Sequence, residues 1–93
     1  MFYVYFMSNS GHSVIYTGST VNLPDRVFAH KNGAFPDAFT LKYNCFVLVW
    51  YEEHISLAEA RKREYQIKRW RRDWKERLIN EMNPQWKDLS ESW

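Results

Sequence analysis

Three short apolar runs and one long helical period divide the chain. Phe2, Tyr3, Val4, Tyr5, Phe6 and Met7 are β-branched, aromatic or apolar without interruption, which favours a pleated strand. Turn formers follow from Ser8 to His12, and a second β-prone run covers Val14 to Thr17, with Gly18 closing it. Two such runs separated by a few turn residues predict a β-hairpin. Asn22, Leu23, Pro24 and Asp25 carry the signals of a helix start, with a capping side chain, a proline in the first turn and an acid at the positive end of the dipole. Leu23, Val27 and His30 recur at helical spacing and Gly33 suits the stop.

Residues 34 to 43, with Pro36 inside, read as a loop, and the apolar run from Cys45 to Tyr51 as a third strand. Ser56 and Glu59 form a capping-box pattern ahead of Leu57, Ala58 and Ala60, and helical periodicity then continues to Met82, where Asn83 and Pro84 end it. So long a helix is out of scale with a 93-residue chain, so a bend is expected near Trp70 to Asp73. The tail from Gln85 to Trp93 is expected to pack through Trp86 and Leu89. The resulting order, β-β-α-β-α-α, predicts an α+β architecture: one domain over residues 1 to 93, with a three-stranded antiparallel sheet and surrounding helices.

Composition narrows the class. Five Trp, six Tyr and six Phe supply the large buried areas that a small core needs. Cys45 is the single cysteine, which excludes a disulfide within the chain and favours a reducing, cytoplasmic setting. No stretch reaches the roughly 18 apolar residues of a membrane span, and FYVYFM lacks the length and basic flank of a signal peptide. Net charge is only +2, yet residues 61 to 77 hold nine bases and three acids, while each flank is −2. A basic stripe on a mildly acidic domain points to a polyanionic partner, nucleic acid first and an anionic membrane surface second, against the plainer reading of a solvated helix face.

Glu64 is the most informative residue for chemistry. Ala60, Glu64, Ile67, Arg71, Trp74 and Leu78 follow one helical stripe, and a carboxylate on an apolar stripe wants a cation, whether Arg71, another base or a metal. Arg26 and His30 share a face of the first helix and could meet one phosphate, or be a surface arginine beside a partly buried histidine. Tyr5 and Tyr16 sit on the two hairpin strands, as site residues or as core. The histidines and Cys45 show no zinc spacing, and neither a phosphate loop nor a G-x-S-x-G element is present. Cys45 reads as packing and His12 as a solvated turn residue.

Taken in order, these positions resemble the GIY-YIG nuclease superfamily, in particular its small single-domain bacterial members described as endonucleases. Tyr3, Val4, Tyr5 look like the first motif and Tyr16, Thr17, Gly18 like the second; Arg26 falls ten residues past Tyr16 and His30 four later. Arg63 to Lys68 is similar to the family's R-E-x-x-I-K helix, and Asn83 to Leu89 to the N-P-x-W-x-D-L ending of small members. Tyr3 stands where the first triad has glycine, and Thr17 where the second has isoleucine or valine.

The resemblance implies metal-dependent phosphodiester hydrolysis of nucleic acid, with DNA the expected substrate. It implies Glu64 as ligand of Mg²⁺ or Mn²⁺, Arg26 on the scissile phosphate, and Tyr5 or Tyr16 orienting or deprotonating the water, with His30 the competing base. Asn83 would be the family's late asparagine, and Arg63, Lys68, Arg69, Arg72 and Lys75 the bases that hold the nucleic acid. A protein partner or a dimer would supply sequence specificity. Two rivals stay open on the sequence: a module that binds nucleic acid through the basic 61–77 helix without cutting it, and a protein-interaction domain for an acidic partner.

Overall fold

The structure is a computed structural model that describes residues 1–32 and 42–93. The expected loop thus falls largely outside the described residues, as does Gly33. Strand β1 (Phe2–Ser8) pairs antiparallel with β2 (Ile15–Thr20) on one side and with β3 (Val47–His54) on the other, giving the sheet order β2-β1-β3. Helix α1 (Leu23–Lys31) follows β2, and helices α2 (Leu57–Lys68) and α3 (Arg72–Met82) follow β3; a single 3₁₀ turn, Leu89–Ser92, ends the chain. The fold is α+β with element order β-β-α-β-α-α, as its periodicities predict. Among the described residues no helix is long and apolar enough to cross a membrane.

The uninterrupted apolar character of β1 has a direct cause. As the central strand it is covered on both faces, and Val4 to Met7 are wholly buried. Tyr5 and Met7 face α1, packing with Leu23, Val27, Cys45 and Leu48; Val4 and Phe6 face the other layer with Val49, Trp50, Ala60, Ile67 and Ile79. The two layers follow from the period-two alternation of a strand. β3 breaks that alternation: the register passes from Phe6↔Trp50 to Met7↔Leu48, so Val49 is an extra residue and lies on the same face as Trp50. Asn83 closes the irregularity, its Nδ2 donating to the Val49 carbonyl at 3.1 Å.

Two sequence expectations shift. β2 runs through Gly18 to Thr20 instead of closing at the glycine, and β3 begins at Val47 and runs to His54. The predicted bend is confined to Arg69–Arg71: Arg69 caps α2, and Arg71 is extended with ψ 157° before α3 begins. The break divides the stripe inferred from Ala60 to Leu78, so Arg71 and Trp74 are exposed while Ala60 and Ile67 are buried. No Pro or Gly marks it; reversing the helix brings Ile79 into the same cluster as Ala60 and Ile67.

The caps behave as their chemistry requires. Asn22 Oδ1 accepts the Asp25 N–H and Ser56 Oγ accepts the Glu59 N–H. The tail packs as expected, Trp86 against one layer and Leu89 against the other. Asp88 anchors it, paired with Lys31 and accepting from the Leu48 and Ser90 N–H groups and the Ser90 hydroxyl. Burial alone would raise the Asp88 pKa, but these partners outweigh it and hold the carboxyl below its ordinary range. His12, expected in solvent, is partly buried with its ring against Trp86 at 4.9 Å.

Candidate active site

The site grows from the hairpin register. Tyr5 lies opposite Gly18, and Met7 opposite Tyr16, so the two tyrosines are diagonal neighbours on the α1 face, their ring centroids 6.3 Å apart. Helix α1 presents Leu23, Val27 and His30 to the same face. His30 thereby reaches both rings: its centroid is 5.8 Å from that of Tyr5 and 5.5 Å from that of Tyr16. Its Nε2 is hydrogen-bonded to the Tyr5 hydroxyl at 2.9 Å, the tautomer deciding which group donates. Tyr5 and His30 are buried, whereas Tyr16 is partly exposed. Arg26 lies one helical turn before His30 and is half-buried.

Gly18 makes this cluster possible. A Cβ there would stand 2.6 Å from the Tyr5 hydroxyl oxygen, 2.7 Å from Tyr5 Cζ and 3.0 Å from a Tyr16 ring carbon. The glycine is required by the close approach of the Tyr5 ring across the backbone.

Glu64 comes from the other layer. Ser19, the next residue of β2, faces α2, and its Oγ donates a short hydrogen bond to Glu64 Oε1. The second carboxylate oxygen takes the Lys68 ammonium at 2.6 Å, an i,i+4 pair on α2. The structure therefore brings Tyr5, Tyr16 and His30 into contact on one face of edge strand β2 and sets Glu64 against that strand from the opposite face, one residue along. The cation that the sequence demanded for Glu64 is Lys68, not Arg71, whose guanidinium pairs with Asp73. Ser19 carried no signal of its own in the sequence; Lys68 did, through its i,i+4 spacing to Glu64.

The remaining candidates separate. Asn83 is buried, its amide donating to the carbonyls of Val49 and Lys87 and accepting the Lys87 N–H, so it ties the tail to β3 at the edge remote from β2. Arg63 forks onto Glu52 at 2.9 and 3.3 Å and lies over the Trp70 ring. Arg69 bonds the Tyr65 hydroxyl and covers its ring, on the exposed side of α2. Arg72 pairs with Glu76 and donates to the carbonyls of His12 and Ser13, clipping the β1–β2 turn to α3. Lys75 is half-buried, and among the described residues no acid pairs with it. Its burial and the positive charges of Lys68 and Arg72 hold its pKa below the ordinary lysine value.

Comparison with known proteins finds relatives along most of the chain. The family model of the GIY-YIG catalytic domain matches residues 1–77. A UPF0213 protein of Staphylococcus haemolyticus is 37% identical over 79 residues, covering 85% of this chain and 94% of its own length. One of Clostridium perfringens is 39% identical over 80 residues, covering 86% and 84% respectively. The solution NMR structure of a UPF0213 protein from Bacillus halodurans superposes with a TM-score of 0.57 at 29% identity, over 95% of this chain and 93% of that one. With the family model covering most of its length and relatives above 30% identity along most of theirs, the chain belongs to the GIY-YIG family.

Proposed function

We propose that this protein is a nuclease that hydrolyses phosphodiester bonds, with DNA as substrate and a divalent cation at Glu64. The observation that carries the reading is the Tyr5–His30–Tyr16 cluster over Gly18, with Glu64 set against the adjacent Ser19. Nuclease chemistry is general in the family; DNA and the divalent cation are what the resemblance of the motifs adds.

The donor set suits a magnesium-like ion held largely by solvent. Among the described residues no group of three or more His, Cys, Asp or Glu side chains converges, so a cation at Glu64 would not be caged by them. Mg²⁺ tolerates that, keeping several waters and substrate oxygens. When bound, such an ion neutralises charge developing on the phosphoryl oxygens. Lys68 would yield its carboxylate oxygen and turn to the substrate, while Ser19 keeps the carboxylate oriented.

The chain's own residues divide the rest. Tyr5, fully buried, fixes the orientation of the His30 ring through their hydrogen bond. Tyr16, partly exposed, is the hydroxyl able to meet a water, with His30 beside it to take the proton. Arg26 on the same face of α1 supplies a permanent positive charge to the scissile phosphate. The test is nicking of supercoiled plasmid with and without Mg²⁺, in wild type and Tyr16→Phe. Metal-dependent nicking that falls by orders of magnitude in Tyr16→Phe supports the reading; binding of DNA with no cleavage under any divalent ion overturns it in favour of a non-cutting module.

A further inference from the structure

Six residues, Ser13, Val14, Ile15, Trp70, Arg72 and Lys75, line an open pocket between the β1–β2 turn and the start of α3. We propose that this pocket holds a backbone phosphate of the bound nucleic-acid strand, with the Lys75 ammonium as its cation. The inference rests on the nucleic-acid reading above and assigns it a second contact.

Four features point the same way. Among the described residues the Lys75 ammonium has no acidic partner, and the charges acting on it, Lys68 and Arg72, are both positive. A half-buried cation among like charges is a site short of an anion. Arg72 is held by Glu76 and by the carbonyls of His12 and Ser13, so this wall of the pocket is in place without a ligand. Val14, Ile15 and Trp70 complete that wall, and the pocket is open, so a phosphate of a passing strand can reach the ammonium.

The pocket also lies in line with Glu64. Ile15, Thr17 and Ser19 share one face of β2; Ile15 lines the pocket and Ser19 holds the carboxylate. Four residues of strand separate them by roughly 13 Å, a span of a few nucleotides at about 3.4 Å of axial rise each. Lys68 bridges the two positions, paired with Glu64 and acting on Lys75. A strand cut at Glu64 would thus run past Lys68 into the pocket.

The experiment is fluorescence anisotropy of a labelled duplex oligonucleotide over a salt series without divalent ions, on wild type, Lys75→Met and, as a charge control, Lys87→Met. Lys75→Met is expected to reduce the slope of log affinity against log salt by about 0.9, the loss of one neutralised phosphate, while Lys87→Met leaves the slope unchanged. Its melting temperature should hold or rise, because relief of like-charge crowding removes a penalty; Lys75→Gln is the second variant should the methionine misfold. An unchanged slope in a folded variant, with wild type still binding, overturns the pocket and leaves the nuclease reading standing. Failure of wild type to bind any duplex overturns both. Inorganic phosphate that shifts the Ser13 to Ile15 amides at millimolar concentration, while oligonucleotide does not, assigns the pocket to a free anion and overturns the strand contact.

Discussion

The Tyr5 ring lies across the backbone of Gly18, so close that a methyl group on the glycine would stand 2.6 Å from the tyrosine oxygen. That hydroxyl is the one bonded to His30. One missing side chain on β2 therefore sets the position of a hydrogen bond that ties β1 to α1.

Gly18→Ala should disrupt both packing and site. Overpacking of a rigid core costs about 2 kcal/mol, which for a domain of this size is a fall of roughly 8 to 16 °C in melting temperature. Gly11 is the internal control: a Cβ there meets only Asn9 Nδ2, at an ordinary 3.8 Å. Gly11→Ala should stay within about 0.5 kcal/mol of wild type. Equal melting temperatures for the two variants would show that Tyr5 can move aside freely.

Thr17 makes a prediction of the opposite sign. Its Oγ1 is buried and finds no hydrogen-bond partner among the described residues. Valine has the same shape without the unsatisfied hydroxyl, and it is one of the residues the family resemblance places at this point. Thr17→Val should therefore stabilise by about 1 kcal/mol, a gain of roughly 4 to 8 °C by calorimetry. A loss of stability would reveal a partner for the hydroxyl.

These two neighbours mark what the sequence could disclose. The strand pattern placed Tyr5, Tyr16 and Gly18 on a hairpin, and helical spacing placed Arg26 and His30 on one face of α1, because alternation and the 3.6-residue period are local properties. The bulge at Val49 escaped, since it carries no Pro or Gly and serves to bring Val49 to Asn83, whereas the break at Arg69–Arg71 was expected from the length of the helical run, only its exact place depending on a distant contact, that of Ile79 with Ala60 and Ile67. The same limit hid Ser19. Its value depends on Glu64 arriving from a helix 45 residues later, a contact no window of sequence contains. Asn83 shows the same limit from the other side: its motif position suggested chemistry, and the contacts its amide makes with the Val49 and Lys87 backbone are visible only in the fold.

Asp88 gives the fold an acid-sensitive anchor. Its pKa is lowered in the folded state by Lys31 and Ser90 despite partial burial. Above about pH 4, the ordinary carboxylate value, the unfolded chain is ionised as well, and the full stabilisation is present. It is lost as pH falls through the lower, folded-state value. Asp88→Asn should melt below wild type at pH 7, and the gap between them should narrow as the pH drops from 4 towards 2. A gap independent of pH would mean that Asp88 acts through its shape and neutral hydrogen bonds alone.

Glu64 separates stability from chemistry most cleanly. Glutamine at this position can still accept the Ser19 hydroxyl's hydrogen bond, and what it forfeits is the pair with Lys68, whose side chain is 52% exposed. An i,i+4 pair of that kind contributes only about 0.3 to 0.5 kcal/mol, so Glu64→Gln should melt within a few degrees of wild type. If Glu64 is the metal ligand, the same variant should lose metal-dependent nicking by orders of magnitude. Ser19→Ala should show a milder version, because the carboxylate keeps its charge and loses only its orientation: the divalent-ion concentration needed for half-maximal nicking should rise, and saturating metal should restore much of the rate. Metal titration by calorimetry supplies a readout independent of turnover, with heat of binding present in wild type, weaker in Ser19→Ala and absent in Glu64→Gln. A folded Glu64→Gln protein that binds the ion and cuts at the wild-type rate would show that the carboxylate serves the Ser19 and Lys68 contacts and nothing more.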